Sequence, residues 1–274
     1  MHLGIHLPHI GRKASPDAIR RSAEQAEALG FTDVWVSEHI IVPKDSNYPP
    51  SPNFWDPVLT LTWAAACTRH LRLGTSVLVL PLRHPLPLAK ELATLQNLSQ
   101  GRLILGAGVG WLEAEFDALG VPFRERGRRM DEGIAMMRAV WNDDPVTFSA
   151  RWIPAAIKDM RMQPQPCAPI PIWIGGSSDA AVNRALRLDG WHGSRVAPEQ
   201  AKAAVQRLRA VRPGAEFTIS LRIGCNPDNV GELRGKLAAY QEAGVQHVLV
   251  APEDRDIESY LATSEQVARA ATGL

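Results

Sequence analysis

The sequence predicts an α/β protein of the (β/α)8 TIM-barrel class, and three observations carry that reading. Residues 71–111 form one strand-helix-strand unit: Leu71-Arg-Leu-Gly-Thr-Ser-Val-Leu-Val-Leu80 is a β-branched and leucine run with no helix-period polar face, and Arg102-Leu-Ile-Leu-Gly-Ala-Gly-Val-Gly-Trp111 repeats the design after an intervening helix. Such a crossover requires parallel strands. The same alternation recurs to a total of eight strand-helix pairs. The length of 274 residues suits one barrel, so a single domain over 1–274 is expected.

Each element has its own signal. Strand one, 3–7, ends in Pro8-His9-Ile10-Gly11, and Ser15-Pro16-Asp17 opens a helix that Gly30 stops. Strand two is Asp33-Val-Trp-Val-Ser-Glu-His39. Residues 43–53, rich in Pro, Ser and Asn, read as a long loop of the kind that lies over sites or forms lids. A helix over 55–68 leads to strand three, 71–80. In the next helix, 86–99, Lys90, Glu91 and Gln96 are assigned to solvent and Leu88, Leu92, Leu95 and Leu98 to the core. Strand four follows at 102–111. The alternation then lapses: 126–141 is an amphipathic helix with Met130, Ile134, Met137 and Trp141 inward, and 142–168 reads as an insertion between strands four and five, with a hairpin near 146–152. Strands five to eight are placed at 170–174, 190–194, 217–223 and 245–251, with helices at 179–188, 198–211, 230–243 and 257–271.

Composition narrows the partners. Thirty Lys and Arg against 29 Asp and Glu leave a net charge of +1, which gives no reason to expect nucleic acid or a membrane surface. Cys67, Cys167 and Cys225 are isolated singles, against a disulfide framework or a CxxC metal site. His6, Pro8 and His9 interrupt the apolar amino terminus before a signal-peptide core or membrane span forms, so a soluble cytoplasmic protein is expected.

Ligands of parallel barrels bind at the carboxyl ends of the strands. Those ends offer Glu38-His39, an acid/base pair or, on the bland reading, a histidine satisfied by a loop carbonyl. Neighbours on a strand point oppositely, so both face the mouth only if the strand has ended. The Gly175-Gly176-Ser177-Ser178-Asp179 turn is either an anion site at a helix start or a helix cap behind a tight turn. Gly106-Ala-Gly108-Val109-Gly110 lacks the third glycine of a dinucleotide fingerprint, and its small residues fit the close approach of a flat ring. His6, His9, Glu38, His84 and His192 lack the close His-x-His of barrel metallohydrolases, so no metal site is assigned. Trp35, Trp63, Trp141, Trp173 and Trp191 are assigned to the core, and Trp55 and Trp111 to a pocket wall.

Taken together, Val36-Ser-Glu-His39, Gly74-Thr-Ser-Val-Leu78, Gly106-Ala-Gly-Val-Gly-Trp111 with Glu115, and Ile172-Trp-Ile-Gly-Gly-Ser177, in register along nearly the whole chain with Asp189-Gly-Trp191, resemble the bacterial luciferase-like flavin-dependent superfamily. The chain is most similar to its coenzyme F420-dependent class. The resemblance implies a non-proline cis peptide at Ser76-Val77 behind the cofactor ring, Glu38 and His39 beside that ring, and Gly108, Val109 and Gly110 along its pyrimidine side or side chain. It also implies a phosphate held by Gly175, Gly176, Ser177 and Ser178, to which Arg195 is added here as a charge partner. Two departures stand out. Trp111 occupies the place of the proton-donating glutamate of the sugar-phosphate dehydrogenases, so that reaction is not implied, and 142–168 is shorter than in many relatives.

The function expected on this basis is hydride transfer between C5 of F420 and a small organic substrate, with His39 orienting or protonating. An FMN-dependent monooxygenase on the same scaffold, served by a separate reductase, is the first alternative. A metal-dependent barrel hydrolase or isomerase and a cofactor-free binding protein are further ones. Pairing through barrel helices into a homodimer is the expected assembly.

Overall fold

The structure, a computed structural model, describes residues 1–46 and 51–274, so the loop expected at 43–53 lies partly outside the described residues. Along the chain run β1 (His2–His6), α1 (Pro16–Ala28), β2 (Asp33–Val36), α2 (Pro57–Cys67), β3 (Arg72–Thr75), β4 (Leu78–Val79), α3 (Pro85–Leu98), β5 (Leu103–Gly108), α4 (Glu113–Ala118) and α5 (Arg126–Asn142). They are followed by β6 (Val146–Ser149), β7 (Ala156–Met160), β8 (Ile172–Gly175), α6 (Asp179–Ala185), β9 (Gly190–Ser194), α7 (Pro198–Val211), β10 (Thr218–Cys225), α8 (Leu233–Glu242), β11 (His247–Pro252) and α9 (Ile257–Ala271). Parallel pairing in the order β3-β2-β1-β11-β10-β9-β8-β5-β4, with β3 also paired to β5, closes the sheet into an eight-position barrel in which β3 and β4 share the third position. This is the predicted (β/α)8 architecture. The insertion is a real interruption, but its antiparallel hairpin β6–β7 is longer than the sequence suggested.

Strand three is not one strand. Its first half pairs with β2 and β5, its second half pairs Leu78 with Ala107 and Val79 with Gly108, and the Ser76–Val77 peptide between them is cis. Val77 then lies in a niche of glycines: a Cβ on Gly108 or on Gly175 would fall 2.4 or 2.5 Å from its methyl groups. These two glycines make room for a side chain of this chain.

The barrel interior is partly polar. Trp35, Ile104, Trp173 and Leu249 form an apolar cluster inside the sheet, and the Trp35 indole fits because Gly74 opposite has no Cβ, which would lie 2.3 Å from the ring. Beside them a column of buried polar groups, Asp33, His247, Ser220 and His192, rises to Ser76 at the mouth. Outside the sheet, α5 presents Met130, Ile134, Met137 and Trp141 to the core as expected.

Two assignments are reversed. Trp63 is 46% exposed and donates its indole N–H to the Pro16 carbonyl, so it is not core. On α3, Gln96 is fully buried and Leu98 is 65% exposed. The cause is helical geometry: Gln96 follows Leu88 and Leu92 at four-residue steps and shares their face. There its side chain accepts from the Leu103 N–H at 2.8 Å and donates to the carbonyls of Ala168 and Pro169, tying α3 to the start of β5 and to the end of the insertion. Gln96→Leu fills the same volume but leaves the buried Leu103 N–H without an acceptor. The expected result is a loss of about 2 kcal/mol in unfolding free energy, read by chemical denaturation.

Candidate active site

At the carboxyl ends of the strands the loops enclose a cavity of about 1550 Å³. Of the residues expected to bind or react there, Glu38, His39, Ser76, Val77, Gly108, Val109, Gly110, Gly175, Gly176, Ser177 and Arg195 line it. Ser178 does not: it is exposed, and its hydroxyl caps α6 by accepting from the Ala181 N–H. Trp111 is on the wall as expected, whereas Trp55 packs against the core.

Glu38 and His39 both reach the cavity because β2 has already ended at Val36. The expected acid/base pair between them does not form, since each has another partner. His39 Nδ1 donates to Glu115 Oε2 at 2.9 Å, across 76 positions of sequence. Glu115 is 2% exposed, and its second oxygen accepts from the N–H groups of Ile40 and Ile41, so the carboxylate is fixed on both sides. The His39 ring meets Phe54 and Trp111 edge-on at 5.1 and 5.7 Å. A carboxylate bound to Nδ1 sets the tautomer and leaves Nε2 as the nitrogen through which a proton moves.

Glu38 does something different. One oxygen accepts from the Val79 N–H at 2.7 Å and the other from Arg83 Nε at 2.6 Å, and Arg83 continues to Asp56. Burial pushes the Glu38 carboxyl up, against the pull of the Arg83 charge and the Val79 N–H. The residue fastens the end of β2 to β4, immediately after the cis peptide.

Two histidines on the β1 side act in the same way. His9, fully buried, sets Nδ1 3.2 Å from the Leu7 carbonyl and Nε2 2.8 Å from the Ser37 carbonyl and 3.1 Å from the Ser37 N–H, joining the loops after β1 and β2. His6 reaches Ser37 Oγ at 3.2 Å. Burial lowers both, His9 to about 4 and His6 well below its ordinary value.

The expected phosphate end is largely committed to the fold. The Gly176 N–H donates to the His192 carbonyl and the Ser177 hydroxyl to the Ser194 carbonyl. What remains for an anion is charge: the wall carries Arg12, Lys13, Arg195, Arg222, Lys236 and Arg255 against Glu38, Glu115, Glu253 and Asp254. Among the described residues no group of three or more His, Cys, Asp or Glu is placed to hold a metal ion. Nor, among them, is any helix long and apolar enough to cross a membrane.

A family model described as luciferase-like monooxygenase matches residues 1–232. An uncharacterised protein of Mycobacterium tuberculosis is 34% identical over 233 residues, covering 78% of this chain and 80% of its own. An F420-dependent glucose-6-phosphate dehydrogenase of Kineococcus radiotolerans is 34% identical over 193 residues, 66% of this chain and 55% of its own. The fold is shared with an F420-dependent secondary alcohol dehydrogenase in complex with an F420-acetone adduct, at a TM-score of 0.81 and 18% identity over 98% of both chains. It is shared too with the FMN-bound oxygenating constituent of 3,6-diketocamphane monooxygenase from Pseudomonas putida, at 0.72 and 16% over 98% of this chain and 97% of that one.

The buried histidines give the site region a defined acid sensitivity. Below about pH 6.5 the unfolded chain takes up a proton at His9 that the folded chain refuses until about pH 4, so stability falls as pH falls through that window. His9→Gln is therefore expected to remove about 2 kcal/mol of the stability lost between pH 7.5 and pH 5, read from denaturant unfolding of both proteins at the two pH values.

Proposed function

Since the chain belongs to the luciferase-like monooxygenase family, we propose that it is an oxidoreductase using coenzyme F420, which exchanges a hydride with a small organic substrate at the deazaflavin C5. The observation that carries this reading is the His39–Glu115 pair, held at 2.9 Å in the wall of the same cavity as Ser76 and Val77. Redox exchange with an alcohol or carbonyl moves a proton as well as a hydride, and an imidazole oriented by a buried carboxylate is a group that can move it.

Gly110, at φ +78°, makes room for Val79 and the buried Phe116, from which a Cβ would fall 2.6 and 2.8 Å, and lies with Val79 in the cavity wall. Charge favours an anionic ligand there. The six cationic side chains named above suit an anionic tail. Ser76, Val77, Gly108, Val109 and Gly110 would lie along the ring, and Arg195 beside the Gly175–Ser177 turn would meet the phosphate side by charge. The group itself, when bound, supplies a carbon that accepts or gives a hydride.

The chain's own residues then have separate tasks. With Nδ1–H held on Glu115, the His39 ring takes a substrate hydroxyl proton at Nε2 in the oxidising direction and returns it in the reducing one. Trp111 and Phe54 flank the imidazole, and their apolar surfaces beside it favour an apolar group on the substrate. Trp111 in place of an acidic donor directs the choice away from sugar phosphates and toward small alcohols and ketones.

An FMN-dependent oxygenase is the second reading, supported by the fold shared with the FMN-bound enzyme at 16% identity. The first is favoured by the 34% identity to an F420-dependent relative. Separate titrations with F420 and with FMN distinguish them: micromolar F420 binding with no FMN binding is expected, and the opposite result establishes the second reading. With a panel of small secondary alcohols, His39→Gln is expected to retain F420 affinity within about threefold and to lose 10²–10⁴-fold in kcat. Glu115→Gln is expected to cut kcat about tenfold or more and to displace its pH profile. Unchanged turnover in His39→Gln removes the imidazole from the chemistry.

A further inference from the structure

The polar column inside the barrel is a continuous chain of hydrogen bonds from floor to mouth. Ser76 Oγ lies 2.9 Å from His192 Nε2, His192 Nδ1 is 2.7 Å from Ser220 Oγ, Ser220 Oγ is 2.6 Å from His247 Nδ1, and His247 Nε2 is 2.7 Å from Asp33 Oδ1. Every member is buried, Ser220, His247 and Asp33 completely. Imidazoles and hydroxyls alternate along it, and neither kind of group can choose its role freely. A neutral imidazole has one donor and one acceptor nitrogen, and a hydroxyl donates one proton. Fixing one end therefore fixes the sense of every bond.

Asp33 is the end that is fixed. Its carboxylate only accepts, and its four partners are Trp35 Nε1, His247 Nε2, Thr32 Oγ1 and Arg72 Nη2 at 2.5 to 2.8 Å. Arg72 pairs with the Asp33 carboxylate, and the carboxylate oxygen facing His247 Nε2 can only accept, so His247 donates to it from Nε2 and turns Nδ1 to Ser220. The remaining bonds follow in turn. Ser220 donates to His247 Nδ1, His192 donates from Nδ1 to Ser220, and Ser76 donates to His192 Nε2. Burial holds His192 down to about 3, which keeps that ring neutral. At the mouth the Ser76 hydroxyl proton is thus turned into the barrel, and the oxygen, which also accepts from Arg222 Nη1 at 3.5 Å, keeps acceptor capacity toward the cavity. Arg222 completes the arrangement by donating to the Ser76 carbonyl at 2.9 Å.

We propose that Asp33, acting through the positioning residues His247, Ser220 and His192, holds Ser76 as a hydrogen-bond acceptor toward the bound cofactor ring. This rests on the cofactor reading above, since it names the sense in which that site addresses its ring. A reversed chain, with the floor donating instead of accepting, would turn Ser76 into a donor, so residues at the floor of the barrel set the polarity of the mouth without touching the ligand.

The test reads proton positions directly, by ¹⁵N NMR of the histidine rings in cofactor-free protein. The wild type is expected to show His192 as the Nδ1–H tautomer and His247 as Nε2–H. Asp33→Asn can offer its amide N–H to His247 Nε2, which moves the His247 proton to Nδ1 and is expected to convert His192 to Nε2–H and to weaken F420 binding about tenfold. Asp33 also holds Arg72 and Trp35, so Ser220→Ala provides a milder cut that leaves those contacts in place. There His247 is expected to stay Nε2–H while His192 shifts to a mixture or to Nε2–H. A wild-type His192 protonated on Nε2, or a His192 that remains purely Nδ1–H in Ser220→Ala, overturns the proposal. So does F420 affinity unchanged by Asp33→Asn once the tautomers have reversed. Failure of the wild-type protein to bind F420 sinks the cofactor reading instead, and leaves the tautomer result to stand by itself.

Discussion

The constraint from which the rest of this barrel follows is a carboxylate with no access to water. Asp33 lies inside the sheet, fully buried, and an ion there is tolerable only if donors replace its hydration. Burial alone would push its carboxyl up, yet His247, Arg72 and Trp35 together hold it well below the usual carboxylate range. Those donors dictate their surroundings. A Cβ at position 4 would fall 2.0 Å from Asp33 Oδ1, so the neighbouring strand must present glycine. The Trp35 indole, anchored by its N–H, lies flat against His192 with ring centres 5.1 Å apart and planes 7° apart, and that placement in turn excludes a side chain at Gly74. One charge at the floor thus selects residues on four strands.

The mouth is organised by a second rule. The loop ends are stitched to one another by side chain to backbone bonds: Glu38 to Val79, His9 to Ser37, Glu115 to Ile40, Arg222 to Ser76. Each bond joins residues from different strand-loop units of the barrel. The side chains facing the cavity are therefore held by residues from elsewhere in the ring of loops, which gives a catalytic constellation tolerances that loops alone do not supply. The break in strand three belongs to this scheme, because Val77 fills the niche that Gly108 and Gly175 leave open and Val79 meets Glu38 just beyond it.

How much of this was legible in the sequence depended on whether the signal was local. Periodicity located β9, α7 and α9 to the residue, since turn residues and apolar spacing lie within the element itself. It misplaced Gln96 because hydropathy assigns an amide to solvent, while the four-residue step from Leu92 puts it in the core with partners supplied by 103 and 168–169. The Glu38–His39 pair was read from adjacency. The structure separates them, because the partners that decide their roles, Arg83 and Glu115, are 45 and 76 positions away. Family resemblance located Ser76-Val77, which no hydropathy pattern in a uniformly apolar run could have done. Glu115 stands just beyond the strand-four glycines, but nothing in that motif says which side chain it holds. For the buried column a usable signal was present: His192, Ser220 and His247 stand on three consecutive parallel strands, and β10 pairing aligns the first with Ser220 and Ser220 with the last. Polar residues sharing one level of neighbouring barrel strands mark an interior hydrogen-bond path.

In a (β/α)8 barrel the carboxyl-end loops carry the chemistry and the opposite face carries stability, a division that holds when the interior between them is an apolar plug. Here the plug is only half apolar. Trp35, Ile104, Trp173 and Leu249 fill one side, and the column from Arg72 and Asp33 to Ser76 fills the other. A proton's position cannot be passed through the first half, because leucine and indole carbon offer it no alternative site. It can be passed through the second, where each ring or hydroxyl has two. The geometry that lets the floor influence the mouth is also why both must be kept together. An apolar residue anywhere along the column would strand a buried donor or acceptor on each side of it, at about 1–3 kcal/mol apiece, while separating Ser76 at the mouth from the charge at the floor.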